Sequence, residues 1–190
     1  VGQYVQANKI NYMRNSVKAI VDAYDGSVRL FRWDDQDPIL RTWEKIYPGS
    51  VEPVSAISGD LMSHLRYPED MFKVQRNLLA TYHVTDAAGF YSGGDRWRLA
   101  EETSTHGAAS SSDSSTHVDA SGNPLPAPTA LQPPYYLTMQ MPGQDSAEFS
   151  LTSVFVPGGG GEGRREAMAG FLAVDSETGN TPGQVREGYG

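Results

Sequence analysis

Side chains able to do chemistry stand on either side of one helical pattern in this chain. His64, Arg66 and Tyr67 come just before it, and His83 and Asp86 just after it. Imidazoles, a guanidinium, a phenol and a carboxylate at helix ends can build a binding site, the N-terminal end favouring an anion. The same groups serve equally as caps and interhelix hydrogen bonds. The pattern between them runs from about Pro68 to His83, roughly 25 Å at the helical rise per residue, so His64 and His83 cannot share one metal within it.

Three other clusters invite a chemical reading. Asp34, Asp35 and Asp37, with Asp22 and Asp25 nearby, offer oxygen ligands of the kind Ca²⁺ takes. The fixed alternate spacing, central glycine and distal glutamate of an EF-hand loop are absent, and a solvated turn with Asp37 as helix cap is the other reading. His106 and His117 lie in a polar tract, as metal ligands or as solvated loop histidines. The glycine run Gly158 to Gly161 lacks the Gly-Lys-Ser/Thr ending of a phosphate loop, and no Gly-x-Ser-x-Gly elbow occurs. No catalytic residue, metal ligand or cofactor is assigned from these patterns.

The elements that would position these residues follow from periodicity and punctuation. Ser16 to Tyr24 and Ser27 to Trp33 alternate as two strands around Asp25-Gly26, which predicts a β-hairpin closed by a type I′ turn. Asp37-Pro38 starts a short helix with Ile39, Leu40, Trp43, Ile46 and Tyr47 as its buried stripe, and Pro48-Gly49 ends it. Ser58 caps a briefer helix containing Leu61, Met62 and Leu65. In the central helix Pro68 sits at the first position, Glu69 and Asp70 favour the positive helix end, and Glu69 stands four residues before Lys73. Its stripe reads Met71, Phe72, Gln75, Leu78, Leu79 and Tyr82, with Lys73, Arg76 and Asn77 on the other faces. Thr85-Asp86 offers caps for one more turn through Phe90 and Tyr91, broken by Gly93-Gly94, and Arg96 to Leu99 reads as extended.

From about Glu101 to Gln132 Ser, Thr, Ala, Gly and Pro dominate, too polar to offset the entropy of ordering. A flexible low-complexity insertion is expected over 103–126. Tyr135 to Met141, Glu148 to Val156 and Ala167 to Val174 read as further strands, with a loop at Gly158 to Gly163 and a poorly ordered tail beyond Asp175. The expected fold is α+β, a mostly antiparallel sheet with short helices packed on one face, in one soluble domain over 1–190.

Composition narrows the function classes. The 190 residues carry a formal net charge of −8, which argues against nucleic acid and disfavours simple adsorption on anionic lipid. There is no cysteine, so neither a disulfide nor a thiolate metal site exists. No run approaches the ~20 apolar residues of a membrane helix.

The order of certain segments resembles an uncharacterised family of large bacterial multi-pass membrane proteins. They are Asn11-Tyr12, Arg14-Asn15-Ser16-Val17-Lys18, Val21 to Gly26, Asp37-Pro38, Tyr47-Pro48-Gly49 and His64 to Asp70. The likeness continues through Phe72 to Gln75, Tyr82 to Asp86, Phe90-Tyr91, Pro134-Tyr135-Tyr136 and Glu148-Phe149, and skips the low-complexity tract. It implies transmembrane helices upstream of Val1, a region exposed outside the cytoplasmic membrane, and a further strand past Tyr189-Gly190. The family brings no activity, cofactor or catalytic residue. The expected role is a non-catalytic extracytoplasmic domain that binds an envelope partner, a ligand or its own membrane portion. The alternative is an enzyme or ligand-sensing module built on His64, Arg66, Tyr67, His83 and Asp86.

Overall fold

Among the described residues the chain forms seven strands and four α-helices. The structure, a computed structural model, describes residues 12–102, 131–158 and 167–187. The expected insertion at 103–126, with His106 and His117, lies outside them, as does most of the Gly158 to Gly163 loop. Strand β1 (Val17–Val21) pairs antiparallel with β2 (Val28–Arg32), Val21 opposite Val28 and Lys18 opposite Phe31. The hairpin is therefore real, but its connection is wider than a two-residue turn. Gly26 N–H donates to the Asp22 carbonyl and Asp22 N–H to that of Ser27, both at 2.9 Å. Only Gly26 takes a positive φ, 73°, among the residues of this loop. A type I′ turn would have needed Asp25 there too, which costs a residue with a Cβ. The carboxylates of Asp22 and Asp25 instead accept from Tyr24 N–H and Ser27 N–H.

Helix α1 (Pro38–Ile46) is capped by Asp37, whose carboxylate accepts from Ile39 N–H. Its expected buried stripe does not hold: Leu40 is buried, while Ile39, Trp43, Ile46 and Tyr47 all stand about half exposed. A two-residue β3 (Glu52–Pro53) pairs in parallel with β2, completing a three-stranded sheet. Helix α2 (Gly59–His64) is capped by Ser58 and buries Met62. Helix α3 (Glu69–Tyr82) starts one residue after the expected position, with Glu69 2.5 Å from Lys73 Nζ. Its inward face is Phe72, Arg76 and Ala80; Leu78 and Tyr82 face solvent. The face is turned from the expected one because a buried arginine occupies it, its guanidinium bonded to a carbonyl and a hydroxyl. Helix α4 (Ala87–Ser92) ends at left-handed Gly93, φ 67°.

Strands β4 (Trp97–Leu99), β5 (Tyr135–Met139), β6 (Glu148–Pro157) and β7 (Gly170–Asp175) form a second sheet in the order β4-β6-β5, with β7 also on β6. The architecture is thus α+β with mostly antiparallel sheets. No helix among the described residues is long and apolar enough to cross a membrane.

Two compact units divide the chain. The first takes residues through Gln75, Tyr136–Thr152 and Ala173 onward; the second takes Arg76–Tyr135 and Ser153–Leu172. Phe31, Ile57 and Met62 are the core of the first, packed by Ile20, Trp33, Val54, Leu61 and Leu65. The segment after Asp175, expected to be loose, closes this core. Ser176 and Thr178 are fully buried, Thr178 Oγ1 donates to the Met62 carbonyl, and Arg186 binds Asp175, Glu148 and Glu177. The chain approaches so closely there that a Cβ on Gly183 would strike the backbone of Ser55. In the second unit Ala80, Leu99 and Phe155 form the core, with Trp97 and Leu172 against it.

Candidate functional site

In the first unit the flagged residues are held by near neighbours. Arg66 Nη1 donates to the carbonyls of Ser63 and Leu65 at 2.6 and 2.9 Å, and the guanidinium lies 5.2 Å over the Phe149 ring. Tyr67 O–H donates to Gln75 Oε1 at 2.8 Å. His64 ends α2 with its side chain exposed.

In the second unit His83 lies flat on Trp97, ring centroids 3.7 Å apart. Its two nitrogens face the Leu79 and Asp95 carbonyls at 3.1 and 2.9 Å. Asp86 is the N-cap of α4, accepting from Gly89 N–H at 2.7 Å. Stacking and capping account for these two side chains without a ligand.

The geometry draws attention instead to residues just before β1. The Asp37 carboxylate is buried and accepts from Tyr12 O–H at 2.8 Å, from Ser16 Oγ and from Ile39 N–H at 2.9 Å. The Ser16 hydroxyl foremost, then the Tyr12 hydroxyl and the Ile39 amide, hold it below the usual carboxylate range against burial. A carboxylate so fully supplied with donors stays ionised and makes a poor general base. It pins the 12–16 segment across the start of α1. Arg14 pairs with Asp34, Gln36 N–H donates to the other Asp34 oxygen, and Asp35 accepts from Gln36 Nε2. Among the described residues no three His, Asp or Glu side chains converge as metal ligands.

Beside this pinned segment a cavity of about 380 Å³ is lined by Met13, Val17, Ile39, Leu40, Trp43 and Met71, with Arg14, Asn15 and Asp37 at its polar edge. A second, of about 440 Å³, is lined by Arg14, Asn15, Trp33, Asp34, Asp35, Tyr67 and Met71. Of the five residues flagged around α3, Tyr67 lines the second of these cavities, and of the flagged acidic cluster Asp37 lines the first and Asp34 and Asp35 the second. Lys18, on the inward face of β1, sits 4.8 Å over the Trp33 ring, 3.5 Å from the Arg66 carbonyl. Burial pushes its ammonium down to about 8.

Sequence reasoning found Asp37 as a cap because capping is local. Its hydroxyl partners are 25 and 21 residues away and carry no local signal. The cavity was equally silent. What the arrangement offers is a recess of mixed apolar and polar lining bordered by the outward stripe of α1.

Comparison with known proteins gives a family and no activity. The model of an uncharacterised protein family, UPF0182, matches residues 2–189. The chain is 50% identical over 186 residues to a UPF0182 protein of Clavibacter sepedonicus, covering 98% of this chain and 18% of the relative. It is 50% identical over 181 residues to one of Leifsonia xyli subsp. xyli, covering 95% of the chain and 16% of the relative. A UPF0182 protein of Tropheryma whipplei is 48% identical over 184 residues, covering 97% and 19%. The chain thus spans less than a fifth of the length of the curated relatives it matches. No solved structure matches it.

Proposed function

The chain belongs to UPF0182, an uncharacterised protein family, and we propose that it is a non-catalytic extracytoplasmic domain of a membrane protein. In this reading it binds an envelope component or the protein's own membrane portion. One observation carries it: α1 turns its apolar stripe outward. Ile39 is 47% exposed, Trp43 51%, Ile46 55% and Tyr47 57%, beside the 380 Å³ recess that Ile39 and Trp43 help to line. A helix normally buries such a stripe, and exposed apolar patches mark interaction sites.

Topology tests the reading. The chain has no cysteine, and Tyr24 at the hairpin turn is fully exposed. A Tyr24→Cys variant of the full-length protein, with any cysteines outside this chain replaced, should react with a membrane-impermeant maleimide in intact cells. Reaction only after permeabilisation would overturn it.

A ligand-sensing module is the second reading. The recess favours it, since its mixed apolar and polar lining includes Pro68 and Met71 at the start of α3. A small molecule that raises the melting temperature of the parent, and not of a Met71→Trp variant that fills the recess, would establish it.

A further inference from the structure

We infer that the outward face of α1 lies on a lipid bilayer, at the boundary between headgroups and acyl chains; this rests on the proposed role at the membrane and names what covers the stripe. The composition of the face points to that occupant. Trp43 and Tyr47 stack with centroids 5.7 Å apart, and Ile39 and Ile46 flank them on the same side of the helix. Trp and Tyr, with an apolar body and a polar edge, concentrate at membrane interfaces, and a helix with one aromatic–aliphatic face and a charged opposite face lies in that plane.

Area argues against a protein partner of ordinary size. Four side chains about half exposed offer roughly 400 Å² of surface, since a large aromatic presents some 150–250 Å². A stable protein interface buries about 800 Å² on each side. Shallow insertion has no such threshold, because its strength scales with whatever apolar area is submerged.

Charge does not drive the docking, since the whole chain is acidic and Asp35 and Asp37 stand beside the start of α1. Glu44, the one acid of α1, is paired with Arg32 at 2.6 Å. Arg41 donates to neutral acceptors, the Asp35 carbonyl and Gln36 Oε1, so it keeps its charge unneutralised by them. Lys45 stands exposed in the last turn, next to Ile46. Arg41 and Lys45 point away from Ile39, Trp43 and Ile46 at 100° per residue, so the apolar face is left free of charge and it alone enters the bilayer.

The test places an environment-sensitive nitrobenzoxadiazole on Ile46→Cys of the 190-residue chain, with Asp60→Cys on α2 as control. Vesicles hold phosphatidylcholine and phosphatidylglycerol in equal parts. The Ile46→Cys probe should shift to the blue on adding vesicles and be quenched by lipids brominated in the acyl chain, while the Asp60→Cys probe changes little. Adding Trp43→Glu to the labelled chain should abolish the shift with the far-ultraviolet circular dichroism unchanged, because Trp43 is half exposed. An unchanged Ile46→Cys probe overturns the inference. So does an equal shift at both sites, or a shift that grows with protein concentration without vesicles and marks a second copy as the occupant. Each leaves the maleimide topology result standing, so the two failures are told apart.

Discussion

Arg76 Nη1 lies 3.2 Å from Ser153 Oγ, joining α3 to the middle of β6 by a hydrogen bond between buried side chains. The same nitrogen donates to the Gln132 carbonyl at 3.0 Å. An arginine this deep is tolerated because the interior supplies acceptors, and removing it strands those acceptors. Arg76→Met, which keeps the stem and deletes the guanidinium, should therefore cost about 2–3 kcal/mol of unfolding free energy. Ser153→Ala leaves the Gln132 bond in place and should cost about 1 kcal/mol. Urea titration of both variants checks the order, and equal losses would refute it.

Arg76 also shows what was legible in the sequence. Helix starts were readable, because Asp37, Ser58 and Asp86 each bond an amide within three residues of themselves. So were the two hairpin strands. Faces were not. In α3 the apolar count favoured Leu78 and Tyr82 over Arg76, but which face turns inward depends on Gln132 and Ser153, 56 and 77 residues away. The stripe of α1 read as buried, since sequence shows amphipathicity and not the presence of an opposing surface. The wider turn at Asp22 to Ser27 followed from two side-chain caps that compete with the tight turn. Of the flagged site residues, His83 and Asp86 are occupied by stacking and capping, and the recess beside Asp37 depends on Tyr12 and Ser16 folding back across it.

Lys18 gives a prediction in pH. Its folded pKa of about 8 lies below the 10.5 of a free lysine, because burial disfavours the ammonium. Between those values the unfolded chain binds more protons than the folded one, so this group makes stability rise with pH across the window. Below it the penalty of holding a half-buried charge is fully present. Replacing the amine in Lys18→Met removes the penalty and the rise together. The difference in melting temperature between variant and parent should move in the parent's favour as pH goes from 8 to 10.5. A constant difference across that window would show that Lys18 titrates normally.

Arg186 governs the segment that closes the first core. Its Nη2 binds Glu148 at 2.8 Å as well as Asp175, and its backbone N–H donates to the Thr178 carbonyl at 2.9 Å. Arg186→Ala should speed exchange of the Ser176 amide, which donates to the Phe149 carbonyl at 2.9 Å, by about tenfold through easier local opening. The Arg186 bond, more than that of Ser146, holds Glu148 below the usual carboxylate range. That contribution is complete above the unfolded carboxylate pKa and disappears as pH falls through the depressed one. The variant should accordingly lose less stability than the parent on acidification. Identical acid limbs would remove Glu148 from the account.

The two sides of α1 make the sharpest contrast. Leu40 is 6% exposed and Ile46, six residues on, 55%. Both belong to the stripe that the sequence alone reads as buried, so a reading from periodicity assigns them similar costs. Leu40→Ala removes a buried side chain from the wall of the recess and should cost about 3 kcal/mol. Ile46→Ser removes apolar surface already in water, and it should change stability by no more than about 0.5 kcal/mol. Denaturant midpoints for the pair, at unchanged slope, decide the matter. A large loss at Ile46 would mean that the outer face of α1 is covered in the isolated chain, and the membrane-facing role would fall with it.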